Sequence, residues 1–129
     1  MAGKKSVAWA DEPEEHDYPA AADYLALLAP PEAVAQVVAA LRAAPAQHRK
    51  AKDILRAAGL VLLPEDNAHV ASDLVKIAKG KPLSPVLLVQ GDLATGVPAQ
   101  VADGYHRVCA SYHTDENTEI PCRIAPYPR

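Results

Sequence analysis

Apolar positions follow two regimes along the chain. Between Tyr18 and Ala58 they recur at helical spacing; from Leu60 onward, short unbroken apolar runs alternate with helical stripes. Tyr24, Leu25 and Leu28 predict a first helix within Ala21 to Leu28, ended by Pro30-Pro31. Val34, Val37, Val38 and Leu41 form an i, i+3, i+4, i+7 stripe. Pro31 suits the first turn of that second helix and Pro45 closes it. Such a stripe fits either a core face or a face for a second copy. A third helical segment spans His48 to Arg56 and gathers Arg49, Lys50, Lys52 and Arg56. It reads as a solvated face with Ile54 and Leu55 turned inward, or as a cationic surface for a phosphate or an acidic partner. Gly59 is a natural C-terminal stop.

Past Gly59 the runs shorten and become strand-like. Leu60 to Leu63 predicts a buried strand, and Asp66 or Asn67 can cap the helix whose buried stripe is Val70, Leu74 and Ile77. Gly80 ends that helix. Val86 to Val89 predicts a second buried strand, and Pro98 to Ala102 a third after the turn-rich Gly91 to Gly96. Short strands mixed with helices predict an α+β fold, a small mixed sheet with helices packed on it. The expected organisation is a flexible, acidic N-terminal arm over 1–17, a helical extension over 18–58, and a main domain over 59–129 that forms one compact unit with 18–58. Trp9, the single tryptophan, either docks on the domain or a partner or stays an exposed tail aromatic.

Composition narrows the function classes. The chain of 129 residues suffices for one compact core, and its formal net charge of -3 offers no global basic field for nucleic acid. DNA binding is therefore not expected. No apolar stretch is long enough to cross a bilayer, and the N-terminus lacks a signal-peptide core, so the expectation is a cytoplasmic protein without membrane association. Cys109 and Cys122 read as small buried hydrophobes in a reducing compartment, with a disulfide as the alternative.

Candidate chemistry concentrates in Asp103-Gly104-Tyr105-His106-Arg107. An apolar run that stops at Asp-Gly and resumes at helical spacing reads as strand, tight turn, helix. Glycine permits a sharp turn or a close approach, and the free N–H groups of a helix start can hold an anion. His106 and Arg107 place cations at the end of the helix that disfavours them, which points to a phosphate. An ordinary turn followed by a surface His-Arg pair gives the same local pattern.

This box, with Ala110 behind it, resembles the Gly-x-His/Arg-Arg-x-x-Ala box of the ParB/sulfiredoxin superfamily. The order around it is similar too: Leu62-Leu63-Pro64, the helix from Val70 to Lys79, the run Leu83 to Val89, the box, then Glu119-Ile120-Pro121-Cys122-Arg123-Ile124. The resemblance covers about residues 50 to 127. It implies a ParB/sulfiredoxin-like domain that binds nucleotide phosphates, with Gly104 allowing close approach and Asp103, Tyr105, His106 and Arg107 around the ligand. The pattern is most similar to the Asp-Gly-His-x-Arg branch of free serine kinases. Two departures shape the expectation. Tyr105 stands where sulfiredoxins carry their nucleophilic cysteine, so sulfinic acid reduction is not expected. The sequence ends at Arg129 without the helix-turn-helix of ParB, so site-specific DNA partitioning is not expected either.

Within that resemblance Glu65 matches the acidic catalytic position of the kinase-like branch. Glu65 and Asp103 are thus the candidate catalytic carboxylates, able to take a proton from a hydroxyl or to hold Mg²⁺ that accompanies a nucleotide. Asp66 reads as a cap and His69 as surface. His106 and His113 could share a helix face, but the spacing of His69, His106 and His113 predicts no metal site. Three functions follow: a nucleotide- or phosphate-binding module acting as a switch or accessory protein; a small-metabolite kinase or nucleotide hydrolase using a carboxylate and Mg²⁺; or an interaction protein, with a protein partner or a second copy, that kept the fold without the site.

Overall fold

The computed structural model describes residues 6–128. A four-stranded sheet carries helices on both faces, a small α+β fold. Helices α1 (Asp17–Leu25) and α2 (Pro31–Ala43) precede strand β1 (Gln47–Lys50), which runs straight into α3 (Ala51–Ala58). Then follow α4 (Ala68–Ala78), β2 (Val86–Val89), β3 (Gln100–Asp103), α5 (Tyr105–Thr114) and β4 (Glu119–Ala125). The strand order is β1-β4-β2-β3, with β2 parallel to β4 and both edge strands antiparallel to their neighbours.

The unbroken run at Val86 to Val89 is explained by cover on both sides. Val86 and Leu88 pack with Ile54, Leu55, Val70, Ile77, Val108 and Ile120 under α3, α4 and α5. Leu87 and Val89 pack with Tyr18, Leu25, Val34, Val37 and Leu41 under α1 and α2. A central strand clothed on both faces has no solvent side and so shows no alternation. The Val34-Val37-Leu41 stripe is therefore a core face. Pro31 opens α2, Gly59 closes α3 at φ 65°, and Asn67 caps α4 by accepting from the N–H groups of His69 (3.0 Å) and Val70 (3.2 Å).

Three expectations change. The helix predicted from His48 begins only at Ala51: Gln47–Lys50 is an edge strand pairing antiparallel with β4, Lys50 opposite Glu119. Pro45 forbids continuation of α2, and the exposed cationic side chains suit an edge strand because they discourage pairing with other chains. The run Leu60 to Leu63 joins no sheet, and Val61 is 71% exposed. Third, residues 6–17 of the expected flexible arm lie against the domain; the first five lie outside the described residues. Ala10 N–H donates to Leu83 O and Leu83 N–H to Ala8 O, both at 2.8 Å, and half-buried Trp9 packs on the α3–α5 core. Asp17 is buried, accepting from Glu14 N–H at 3.0 Å and from the Ser84 hydroxyl.

Cys109 and Cys122 are both fully buried free thiols. Burial pushes Cys122 up to about 11, which keeps it protonated and unreactive. No helix among the described residues is long and apolar enough to cross a membrane.

Candidate functional site

Strand β3 ends at Asp103, and Gly104 turns the chain into α5 at φ 113°. A side chain here would be strained, and its Cβ would fall 2.5 Å from Val86 Cγ1 in the core. Glycine thus lets the start of α5 sit flat on β2. No side chain caps this helix, unlike α4, so its first N–H groups are left for solvent or an anion.

One turn on, Arg107 folds back over the glycine. Its Nη2 donates to Asp103 Oδ2 at 2.9 Å and to Pro85 O at 3.3 Å, with only 18% of each side chain of the ion pair exposed. Its Nε is buried and unbonded. Burial raises the Asp103 carboxyl above the ordinary range; Arg107 opposes that, while the neighbouring Asp17 carboxylate adds to it.

Helix α4 supplies the opposite wall. His69, Ser72, Asp73 and Lys76 lie at i, i+3, i+4 and i+7, one face of that helix, and with Asp103, Gly104, His106 and Arg107 they line a 260 Å³ cleft. The His69 and His106 rings meet across it with centroids 4.7 Å apart. Burial holds the His106 imidazole below its ordinary pKa, and the like charge of His69 pushes the same way, against Asp73. Asp73 is buried and raised mainly for that reason; its nearest cation is Lys76 Nζ at 3.9 Å. Two imidazoles, a bare helix start, and two cation–carboxylate pairs, Lys76 with Asp73 and Arg107 with Asp103, therefore surround one opening.

Of the residues singled out in the sequence, Asp103, Gly104, His106 and Arg107 converge here. Tyr105 does not line the cleft: its hydroxyl points away and donates to Val61 O at 2.6 Å. Glu65 is exposed and does not line it either, and Asp103 gives one oxygen to Arg107. Of the two candidate catalytic carboxylates, Asp103 thus lines the cleft and Glu65 does not. His113 Nε2 bonds Leu63 O at 2.7 Å, apart from the His69–His106 pair. Among the described residues, metal-ligating side chains come together in Glu14, His16 and Asp17, of which only Asp17 is buried. His69, expected at the surface, is exposed and also lines the cleft. Ser72, Asp73 and Lys76 were missed because a polar stripe on an amphipathic helix looks the same whether it faces water or a ligand.

No family model, curated protein or solved structure matches the chain. The site's meaning rests on its geometry.

Proposed function

We propose that the chain is a nucleotide- or phosphate-binding module, of the ParB/sulfiredoxin type that its box resembles, acting as a switch or accessory protein. The observation that carries this reading is the uncapped start of α5 at Gly104, facing the His69-Ser72-Lys76 wall of α4 across one cleft. Free N–H groups and the positive end of the helix dipole favour an anion, and each wall adds a cation, Lys76 and Arg107, each beside the carboxylate it pairs with. Tetrahedral phosphate oxygens can take bonds from the α5 amides on one side and from Ser72 and Lys76 on the other. Binding rather than turnover is favoured by the scatter of the carboxylates: Glu65 is outside the cleft and Asp103 is tied to Arg107. Any Mg²⁺ would arrive on the nucleotide's phosphates rather than be held by Glu65 and Asp103.

The test is calorimetric titration of pyrophosphate, ATP, ADP, CTP and GTP, each with and without Mg²⁺. At least one binds wild type, and Lys76→Ala weakens it at least about ten-fold through loss of a charge-assisted contact. Lys76 is half-exposed, so that variant keeps its fold. Failure of every ligand to bind wild type contradicts the reading.

A further inference from the structure

The side of α5 turned away from the cleft holds the run Leu60 to Leu63 in an unusual way. Tyr105, Cys109 and His113 stand at i, i+4 and i+8, one face of the helix. The Tyr105 hydroxyl donates to Val61 O at 2.6 Å, and His113 Nε2 bonds Leu63 O at 2.7 Å. Between them stands the fully buried Cys109. The segment joins no sheet, and its Val61 and Leu63 carbonyls are taken by side chains of a helix. Two side chains two turns apart on α5 thus take two carbonyls that lie two residues apart in the segment.

From Leu63 the chain reaches α4 in a short turn. Asn67 N–H donates to Pro64 O at 3.1 Å, and Asn67 then caps the helix that carries His69. The position of Leu63 therefore fixes the first turn of α4, and with it the wall that His69 presents to His106. We infer that Tyr105 and His113 are positioning residues: they latch the 60–64 segment to α5 and so set the width of the phosphate cleft, selecting ligands with two phosphate groups over a single one. This rests on the phosphate reading above. A single phosphate can be held by the start of α5 alone, whereas a diphosphate must touch both walls. The latch matters only to the second.

The experiment compares orthophosphate and pyrophosphate binding, by titration, in wild type and Tyr105→Phe. The hydroxyl is the only group removed, and Val61 O lies in an exposed stretch where water replaces it. The expected result is a loss of roughly ten-fold in pyrophosphate affinity with orthophosphate changed less than about two-fold. Amide hydrogen exchange should quicken over residues 61–67 in the same variant. A second pair guards against misfolding: His113→Leu removes the donor, whereas His113→Gln keeps one and should restore the pyrophosphate preference. If wild type binds both anions and Tyr105→Phe has the same affinity ratio, the latch is refuted and the phosphate reading stands. If wild type binds neither anion, the latch is refuted, and the phosphate reading falls with it unless one of the nucleotides binds.

Discussion

Arg107 carries the difference between a motif and a site. As a sequence feature it is a cation in the first turn of a helix, where it costs the helix a little and suggests an anion. In the fold its guanidinium is mostly buried, spans Asp103 and Pro85 O, and lies against Gly104, so it braces the strand-to-helix turn as well as bordering the cleft. Removing it leaves a half-buried carboxyl without its partner. Arg107→Ala should therefore lower stability by about 1.5–3 kcal/mol, the range for a hydrogen bond to a charged group, read from the urea midpoint at unchanged slope. An unchanged midpoint would show a merely superficial arginine. That Asp103, Gly104, His106 and Arg107 stand together at a strand-to-helix turn was legible at this scale, because Asp-Gly between an apolar run and a helical stripe marks such a turn. The direction of Tyr105 was not legible, since its hydroxyl partner is Val61, remote in sequence.

Helices α4 and α5 together make the cleft, and neither makes it alone. Their mutual packing buries Val70 and Ile77 on one side and leaves His69, Ser72, Asp73 and Lys76 facing the start of α5. The apolar stripe of α4 was readable from its period; the ligand-type stripe beside it was not, for want of any signal separating water from a second helix. The run Leu60 to Leu63 misled for a related reason. Apolar, β-compatible residues report burial and extension, but not whether the backbone bonds to a strand or to side chains such as Tyr105 and His113. The His69–His106 pair gives this element pair a pH dependence. Burial keeps His106 below its usual value of about 6.5, so it is neutral near pH 7 and gains charge on acidification. Asp73, raised by burial, loses negative charge in the same direction. Pyrophosphate affinity should thus rise, relative to His106→Asn, as pH falls from about 7.5 to about 5.5. Parallel pH profiles in wild type and variant would remove His106 from the site.

The whole molecule is a three-layer arrangement in which the sheet separates two apolar cores and delivers Asp103 and Gly104 to one end of β3. Its α+β class was legible because both regimes of apolar spacing are present and strongly marked. The edge strand β1 was not: four polar and cationic residues carry no strand pattern, and only pairing with β4 makes them one. The N-terminal segment was hidden likewise, since Trp9 and Asp17 are ordered by contacts with Leu83 and Ser84, which lie far along the chain. These long-range ties place α1 against β3, with Asp17 beside Asp103. The central claim is that phosphate sits between the start of α5 and the polar face of α4. Mapping backbone amide shifts by two-dimensional NMR during a pyrophosphate titration tests it directly. Saturable shifts should centre on Gly104 to Arg107 and on His69, Ser72, Asp73 and Lys76; no saturable shift there, or shifts centred elsewhere, would contradict it.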